Sequence, residues 1–201
     1  YKMKILLIRH LPTKGNLEGR YIGSLDEPLA NLTIQEHSLK EYRRTLHDFA
    51  PQRIISSPLM RAKETATLFF PEREIEEGYE FREMFFGLYE GKNYQELKQE
   101  VAYQKFIDSD GTIGFPEGEK PEQFKKRCQQ AFFQLTMENE KETIALIVHG
   151  GTIMAIMEAV TGQSYYDFQV GCSEGFYLEY DRKNKKGITW YPLKGLDYEK
   201  K

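Results

Sequence analysis

The stretch Lys4–His10, KILLIRH, decides the fold, because a short apolar run ends there abruptly at an arginine and a histidine. A continuous apolar run of this length is typical of a strand buried on both faces of a parallel sheet. Arg53–Ser56 and Thr143–Val148 are further strand candidates, and segments with helical periodicity lie between them. Strands that alternate with helices predict an α/β fold of three layers, in which helices flank a mostly parallel central sheet.

Capping residues and apolar stripes predict where the helices begin. Thr33–Glu36 forms a capping box, and Ser57 followed by Pro58 is typical of an N-cap with proline at the first helical position. Asn93 begins another helix by the same capping logic. The other predicted elements are loops over 11–32 and 108–121, an edge strand within 74–92, a helix from Phe124 to about Asn139, a helix over Ile153–Val160, and a closing hairpin of Phe176–Tyr180 and Ile188–Tyr191.

The composition is that of a globular protein. Of 201 residues, 40% are apolar and 29% are charged, with 28 basic and 31 acidic residues and a net charge of −3. No change in composition, linker or repeat divides the chain, so we expect a single domain over residues 1–201. The apolar runs are shorter than the about 20 residues of a membrane helix. The pI of 5.9 is below the about 9 that is typical of nucleic-acid binders. We therefore expect no membrane and no nucleic-acid partner.

The two cysteines and the N-terminal residues bear on location. Cys128 and Cys172 are too few for a disulfide scaffold and are compatible with a reducing compartment. The first residues lack the apolar core of a signal peptide. These features together favour a cytoplasmic location, and they carry no information on the oligomeric state.

Charged side chains follow the predicted strands. His10 and His149 each come directly after a buried strand, with Arg9 beside the first histidine. Arg61 lies in the first turn of the helix after Arg53–Ser56, where the helix N-terminus favours an anion. Because ligands of open α/β sheets bind at the carboxyl ends of the strands, these groups predict a site for a phosphate.

Other catalytic and cofactor motifs either do not occur or lack the structural surroundings that they need. Gly171–Gly175 matches the G-x-S-x-G nucleophile elbow, but a strand-like segment follows it and no histidine comes later in the chain. There is no phosphate-binding P-loop, no G-x-G-x-x-G and no zinc spacing among the cysteines and histidines. We therefore expect neither a metal nor a cofactor.

Five blocks of sequence resemble those of the histidine phosphatase superfamily, in its phosphoglycerate-mutase-like branch. They occur in the family order. Arg9–Asn16 resembles R-H-G-x-[ST]-x-x-N, and the other blocks are Arg20–Leu29, Ser56–Ala66, Glu83–Gly91 and Val148–Gly151. One departure is Leu11, which replaces the usual glycine after the histidine. A leucine would be costly there if the backbone required a positive φ, and we expect that the position accepts a side chain.

The resemblance implies a role for each matched residue. His10 would be the nucleophile that forms a phosphohistidine, and Glu83 the acid that protonates the leaving alcohol and then activates water. Arginines beside a histidine disfavour its protonated form, as a nucleophile requires. By the same resemblance the phosphate contacts would be Arg9, Asn16, Arg61, His149 and Gly150, and further substrate contacts would be Thr13, Arg20 and Gly23.

Three functions agree with these motifs. A metal-independent phosphatase acting on a small phosphorylated metabolite is favoured, with α-ribazole 5'-phosphate as one candidate. A phosphoglycerate mutase would need additional cations for a second anionic group, and between Glu83 and Phe115 the chain offers only Lys92, Lys98 and Lys105. A non-catalytic phosphate-binding protein is the third function, and the presence of both His10 and Glu83 disfavours it.

Overall fold

A computed structural model describes residues 2–138, 142–181 and 188–200. In chain order its strands are β1 (Met3–Arg9), β2 (Leu32–Thr33), β3 (Arg53–Ser56), β4 (Glu76–Glu77), β5 (Thr143–Val148), β6 (Gly175–Tyr180), β7 (Thr189–Leu193) and β8 (Glu199–Lys200). Its α-helices are α1 (Lys14–Leu17), α2 (Glu36–Asp48), α3 (Met60–Phe69), α4 (Tyr94–Leu97), α5 (Val101–Asp108), α6 (Pro121–Glu138) and α7 (Gly150–Thr161). Short 3₁₀ turns are Tyr79–Phe81, Gly87–Tyr89 and Tyr165–Phe168.

Six strands form one sheet in the order β4-β3-β5-β1-β6-β7. The pairs β4–β3, β3–β5 and β5–β1 are parallel, whereas β6 and β7 join antiparallel as the predicted hairpin. The turn of that hairpin, at 182–187, lies outside the described residues. A second, two-stranded sheet pairs β2 with β8. The prediction of a mostly parallel central sheet flanked by helices is confirmed, and the single-domain assignment stays a prediction.

Alternate side chains of the central strands enter two separate cores. Ile5 and Leu7 of β1 pack in the core that contains residues of α6 and α7. Leu6 and Ile8 pack in the core that contains residues of α2 and α3. Because side chains alternate across a strand, one apolar run fills both interfaces, which explains why β1 has no polar residue between Ile5 and Ile8.

Two of the predicted helix starts are wrong. Thr33 does not cap α2, because it pairs with Glu199 in the small sheet, and α2 begins at Glu36 without a side-chain cap. Ser57 does not cap α3, which begins at Met60 after Leu59. Thr33 instead pairs with β8, and the Ser57 hydroxyl contacts both the backbone N–H of Leu59 and the ring of His149.

Other helix predictions are confirmed. Asn93 and Glu96 form the predicted capping box at α4, with both reciprocal hydrogen bonds present. The helix predicted over Ile153–Val160 is α7, and Gly162 follows it as a left-handed C-cap with a φ of 73°. The loop predicted over 11–32 contains α1, where Thr13 and Asn16 form a capping box of their own. In the described parts of the chain, no helix is long and apolar enough to cross a membrane.

Candidate active site

Two adjacent strands deliver the two histidines to one place. Arg9 and Val148 are the last residues of β1 and β5 and are paired with each other, and a histidine directly follows each of them. The backbone N–H of His10 donates to the carbonyl of Val148 at 3.0 Å. The imidazole rings of His10 and His149 lie edge to face with their centroids 5.0 Å apart. The parallel register therefore fixes the spacing of the pair.

A backbone carbonyl fixes the tautomer of His10. Its Nδ1 lies 2.6 Å from the carbonyl oxygen of Leu11. A carbonyl oxygen only accepts, so Nδ1 carries the hydrogen and Nε2 keeps its lone pair. The backbone N–H of Leu11 donates to Thr65 Oγ1 at 3.0 Å. This segment thus holds the imidazole in the orientation that leaves Nε2 as the reactive nitrogen.

The side chain at position 11 is accommodated. Leu11 is fully buried and packs in the same core as α2 and α3. Its φ is not positive, so the backbone makes no demand for glycine. The leucine therefore causes no steric conflict after His10.

The imidazole of His10 is neutral because of where it lies. Burial lowers its pKa well below the usual value, and the positive charges of Arg61 and Arg9 lower it further. The hydrogen bond to Leu11 raises the pKa and only partly opposes these effects. A neutral imidazole keeps the lone pair that a nucleophile needs.

Arg61 is a fully buried arginine in the first turn of α3. Its Nη1 donates to the carbonyl of Leu25 at 2.8 Å, and its Nη2 donates to that of Gly23 at 2.8 Å. Its Nε has no partner among the described residues. Arg61 thus holds the 22–25 loop over the site and places a fixed positive charge near both histidines.

Sequence reasoning missed Ser57. His149 is fully buried, and its Nε2 lies 2.7 Å from Ser57 Oγ. Burial, followed by the charge of Arg61, lowers the pKa of His149 well below its usual value. The Ser57 hydroxyl also accepts from the backbone N–H of Leu59 at 3.3 Å, and no local signal in the sequence pointed to the contact with His149.

Glu83 enters from the segment between β4 and α4. Its Oε1 accepts from the backbone N–H of Met84 at 2.9 Å, and its Oε2 accepts from that of Gly151 at 3.1 Å. Burial raises the pKa of this carboxyl, whereas the two backbone hydrogen bonds and the arginines lower it to a smaller extent. The result is a raised pKa, which suits an acid that acts near neutral pH.

A cavity of about 550 Å³ opens on these groups. Among the residues that line it are Arg9, His10, Asn16, Glu83 and Gly150. Arg61 and His149 do not line it, since both are fully buried. The structure thus divides the predicted site residues into a set that faces the cavity and a pair that supports it from within the protein.

Thr13, Arg20 and Gly23 do not line this cavity. Thr13 is the buried N-cap of α1 and orients Asn16. Arg20 donates to the carbonyl of Gly91 at 2.7 Å and pairs with acidic side chains at the surface. Gly23 presents its carbonyl to Arg61. Their contacts organise the loop that bears them, and their role as substrate contacts stays a prediction.

Metal-ligating side chains are not clustered in the part of the chain that the structure describes. No group of three or more histidine, cysteine, aspartate or glutamate side chains there has the spacing to hold a metal ion. The G-x-S-x-G match of the sequence is a turn, in which the buried Ser173 has a φ of 63° and bonds to backbone groups. It contributes no nucleophile to the cavity.

Comparisons with known proteins identify the family. The family model of the histidine phosphatase superfamily (branch 1) matches residues 5–185. The chain therefore belongs to the histidine phosphatase superfamily.

Phosphatases are among the individual relatives of the chain. The chain is 28% identical over 180 residues to an adenosylcobalamin/alpha-ribazole phosphatase of Escherichia coli, which covers 85% of this chain and 87% of that protein. It is 29% identical over 169 residues to a metal-independent phosphoserine phosphatase of Arabidopsis thaliana, which covers 80% and 70%. A crystal structure of a mutant phosphoserine phosphatase of Entamoeba histolytica with phosphoserine superposes with a TM-score of 0.74 at 25% identity, covering 95% of this chain and 94% of that chain.

Proposed function

We propose that the protein hydrolyses phosphomonoesters of a small metabolite through a phosphohistidine at His10, without a metal. The observation that carries this proposal is the state of His10. It lines the cavity as a neutral imidazole, with Nδ1 held by the carbonyl of Leu11 and Nε2 left as the nucleophile.

The first step transfers the phosphoryl group to the enzyme. Nε2 of His10 forms a bond to phosphorus while the bond from phosphorus to the ester oxygen breaks. The protonated carboxyl of Glu83 gives its proton to the leaving oxygen, which departs as an alcohol. Arg9, the amide of Asn16 and the N-terminus of α7 at Gly150 lie around the cavity, where they stabilise the charge on the equatorial oxygens.

The second step releases phosphate. The carboxylate of Glu83 takes a proton from water, whose oxygen attacks phosphorus, and the bond to Nε2 breaks to regenerate neutral His10. The backbone donors from Met84 and Gly151 keep Glu83 in one orientation during both steps. One carboxyl thus acts first as the acid and then as the base.

Hydrolysis is favoured over mutase chemistry by the charges around the cavity. A mutase must hold a second anionic group while the substrate is re-phosphorylated. Lys92, Lys98 and Lys105, the cations that the sequence offered for this purpose, do not line the cavity. The named relatives are phosphatases, and the α-ribazole phosphatase among them keeps α-ribazole 5'-phosphate as a candidate substrate.

The experiment that tests the proposal is release of inorganic phosphate from a generic phosphomonoester in EDTA. We expect the wild-type protein to be active and His10→Ala to lose essentially all activity. His37→Ala is the matched control, because His37 is exposed on α2. Activity that survives in His10→Ala would contradict the mechanism. Isomerisation of 3-phosphoglycerate in place of phosphate release would support the mutase alternative.

The intermediate is tested with Glu83→Gln and p-nitrophenyl phosphate. This leaving group departs without an acid, so the first step proceeds, whereas the water attack lacks its base. We therefore expect a burst of p-nitrophenol equal to the enzyme concentration, with an acid-labile phosphoryl label on the protein. A linear time course without label would exclude an accumulating phosphohistidine.

A further inference from the structure

Beyond the phosphate end, the cavity is lined by aromatic rings. Four of them, which we call the aromatic wall, are Tyr21, Phe86, Phe106 and Phe115. The ring centroids of Phe86 and Phe106 lie 4.5 and 4.7 Å from that of Phe115, and that of Tyr21 lies 5.4 Å from it. The wall is therefore one packed cluster of rings with an apolar face toward the cavity.

A second pair of rings comes from a different part of the chain. Tyr165 and Tyr166 line the same cavity and lie edge to face, with their centroids 5.1 Å apart. The hydroxyl of Tyr166 donates to the carbonyl of Asp110 at 3.0 Å. This bond ties the tyrosine pair to the segment that bears Phe106 and Phe115, so rings from both segments surround the outer part of the cavity.

Among the described residues of this region, no positive charge is left unpaired for a ligand beyond the phosphate end. Among the residues that line the cavity, the cations are Arg9 and Lys125. The ammonium of Lys125 lies 3.0 Å from the carboxylate of Glu158 and 4.6 Å from the centroid of the Tyr165 ring. Its charge is thus already matched, and Arg9 belongs to the phosphate end. A second anionic group of a substrate would therefore meet a cation whose charge Glu158 already offsets.

We infer that the alcohol released by this enzyme carries a flat, uncharged ring system, which packs between the aromatic wall and the tyrosine pair. The inference rests on the proposed phosphatase function and specifies the substrate class of that site. Aromatic rings stack on one another and exclude water, whereas a carboxylate placed against them would lose hydration without gaining a partner. Phosphate esters of small amino acids and hydroxy acids should therefore be poor substrates.

The test compares phosphate esters whose leaving alcohols are of similar acidity, so that differences in kcat/KM do not come from the ease with which the alcohol leaves. We expect kcat/KM for naphthylmethyl phosphate to exceed that for propyl phosphate by roughly tenfold or more. Phosphoserine and 3-phosphoglycerate should be poorer than propyl phosphate. Equal values for the ring and the propyl ester, or a preference for phosphoserine, would overturn the inference while leaving the phosphatase function intact. Inactivity toward all the esters would instead contradict the proposed function.

Variants of Tyr166 test whether this side chain contributes to the preference for the naphthylmethyl ester. Tyr166 lines the cavity and is 55% exposed, so Tyr166→Ala should fold and should reduce the advantage of the naphthylmethyl ester several-fold, mainly through KM. Tyr166→Phe, which loses only the bond to Asp110, should retain that advantage. Tyr191→Ala is the matched control, because Tyr191 is 57% exposed and lies on β7 away from the cavity. An unchanged ratio in Tyr166→Ala would contradict stacking at this position.

A final variant tests the role of charge. Glu158 does not line the cavity but neutralises Lys125, which does. Glu158→Gln should therefore raise kcat/KM for phosphoserine several-fold and leave that for propyl phosphate nearly constant. If phosphoserine hydrolysis does not change relative to propyl phosphate, the matched charge of Lys125 is not what excludes anionic substrates.

Discussion

A single backbone carbonyl determines which nitrogen of His10 can react. The oxygen of Leu11, 2.6 Å from Nδ1, occupies that nitrogen and leaves Nε2 with its lone pair. Burial and two nearby arginines keep the ring neutral. Glu83 is affected in the opposite sense, because burial raises its pKa and keeps the proton on the carboxyl. The same buried site thus favours the neutral imidazole of His10, the nucleophile, and the protonated carboxyl of Glu83, the acid.

This pairing predicts how activity depends on pH. Protonated Glu83 is required when the leaving alcohol needs a proton, so kcat/KM for an alkyl phosphate should fall by up to about tenfold per pH unit above the Glu83 pKa. For p-nitrophenyl phosphate, which departs without an acid, the fall should be much smaller. The measurement is the ratio of the two kcat/KM values between pH 5 and 9. A ratio that is constant across this range would remove Glu83 from the role of acid.

At the scale of elements, the junction between β5 and α7 assembles much of the site. His149 follows the strand, and the first turn of the helix places the backbone N–H of Gly151 3.1 Å from Glu83 Oε2. A Cβ on Gly151 would come within 2.4 Å of the other carboxyl oxygen. A side chain at position 151 would therefore push the carboxyl of Glu83 out of this position, which the sequence block alone did not explain.

The other end of the same helix yields a prediction about stability. Gly162 has a φ of 73°, and a Cβ there would meet nothing within 4 Å, so only backbone strain opposes a side chain. Gly162→Ala should lower the free energy of unfolding by about 1 kcal/mol and leave kcat unchanged. Gly162→Asn should lose less, because asparagine tolerates this conformation. Urea unfolding measures both, and an alanine variant as stable as the wild type would contradict the strained cap.

At the scale of the whole molecule, the site joins distant parts of the chain around buried charges. His10 and His149 come from neighbouring strands, Arg61 from α3 and Glu83 from the segment after β4. Arg61 is fully buried and reaches the carbonyls of the 22–25 loop. The fold therefore supplies a local positive field that the net charge of −3 does not reveal.

Buried neutral histidines make global stability depend on pH. The folded pKa of His10 and that of His149 lie well below 6.5, so the unfolded chain binds more protons as the pH falls below that value. The free energy of unfolding should then decrease by up to about 1.4 kcal/mol per pH unit for each histidine. Urea unfolding measured from pH 7 to 5 gives the slope of the free energy of unfolding against pH.

The matched variants are His10→Gln and His37→Gln. The first removes one buried histidine and should make the slope shallower, whereas the second replaces an exposed side chain on α2 and should leave the slope as it is. Parallel slopes for the wild type and His10→Gln would show that this histidine does not couple folding to protons.

The local sequence determined the elements and the residues that the site uses. Apolar runs of four and five residues identified β1 and β5, and the pair Ile54-Ile55 identified β3, because strands covered on both faces are rich in apolar residues. Ordered motif blocks identified Arg9, His10 and Glu83 before any geometry was known. The capping box at Asn93 was also local and was predicted correctly.

Tertiary structure decided what local signals cannot encode. Thr33 and Ser57 do not cap the predicted helices, and both contact residues far along the chain, namely Glu199 and His149. Arg20 and Gly23 matched the family pattern, yet they organise a loop and do not line the cavity. The sequence alone determined which groups are present, because apolar spacing and side-chain chemistry are local properties. Only the fold decided which of those groups are buried, charged or in contact with the cavity, because desolvation and distance depend on neighbours that are remote in the chain.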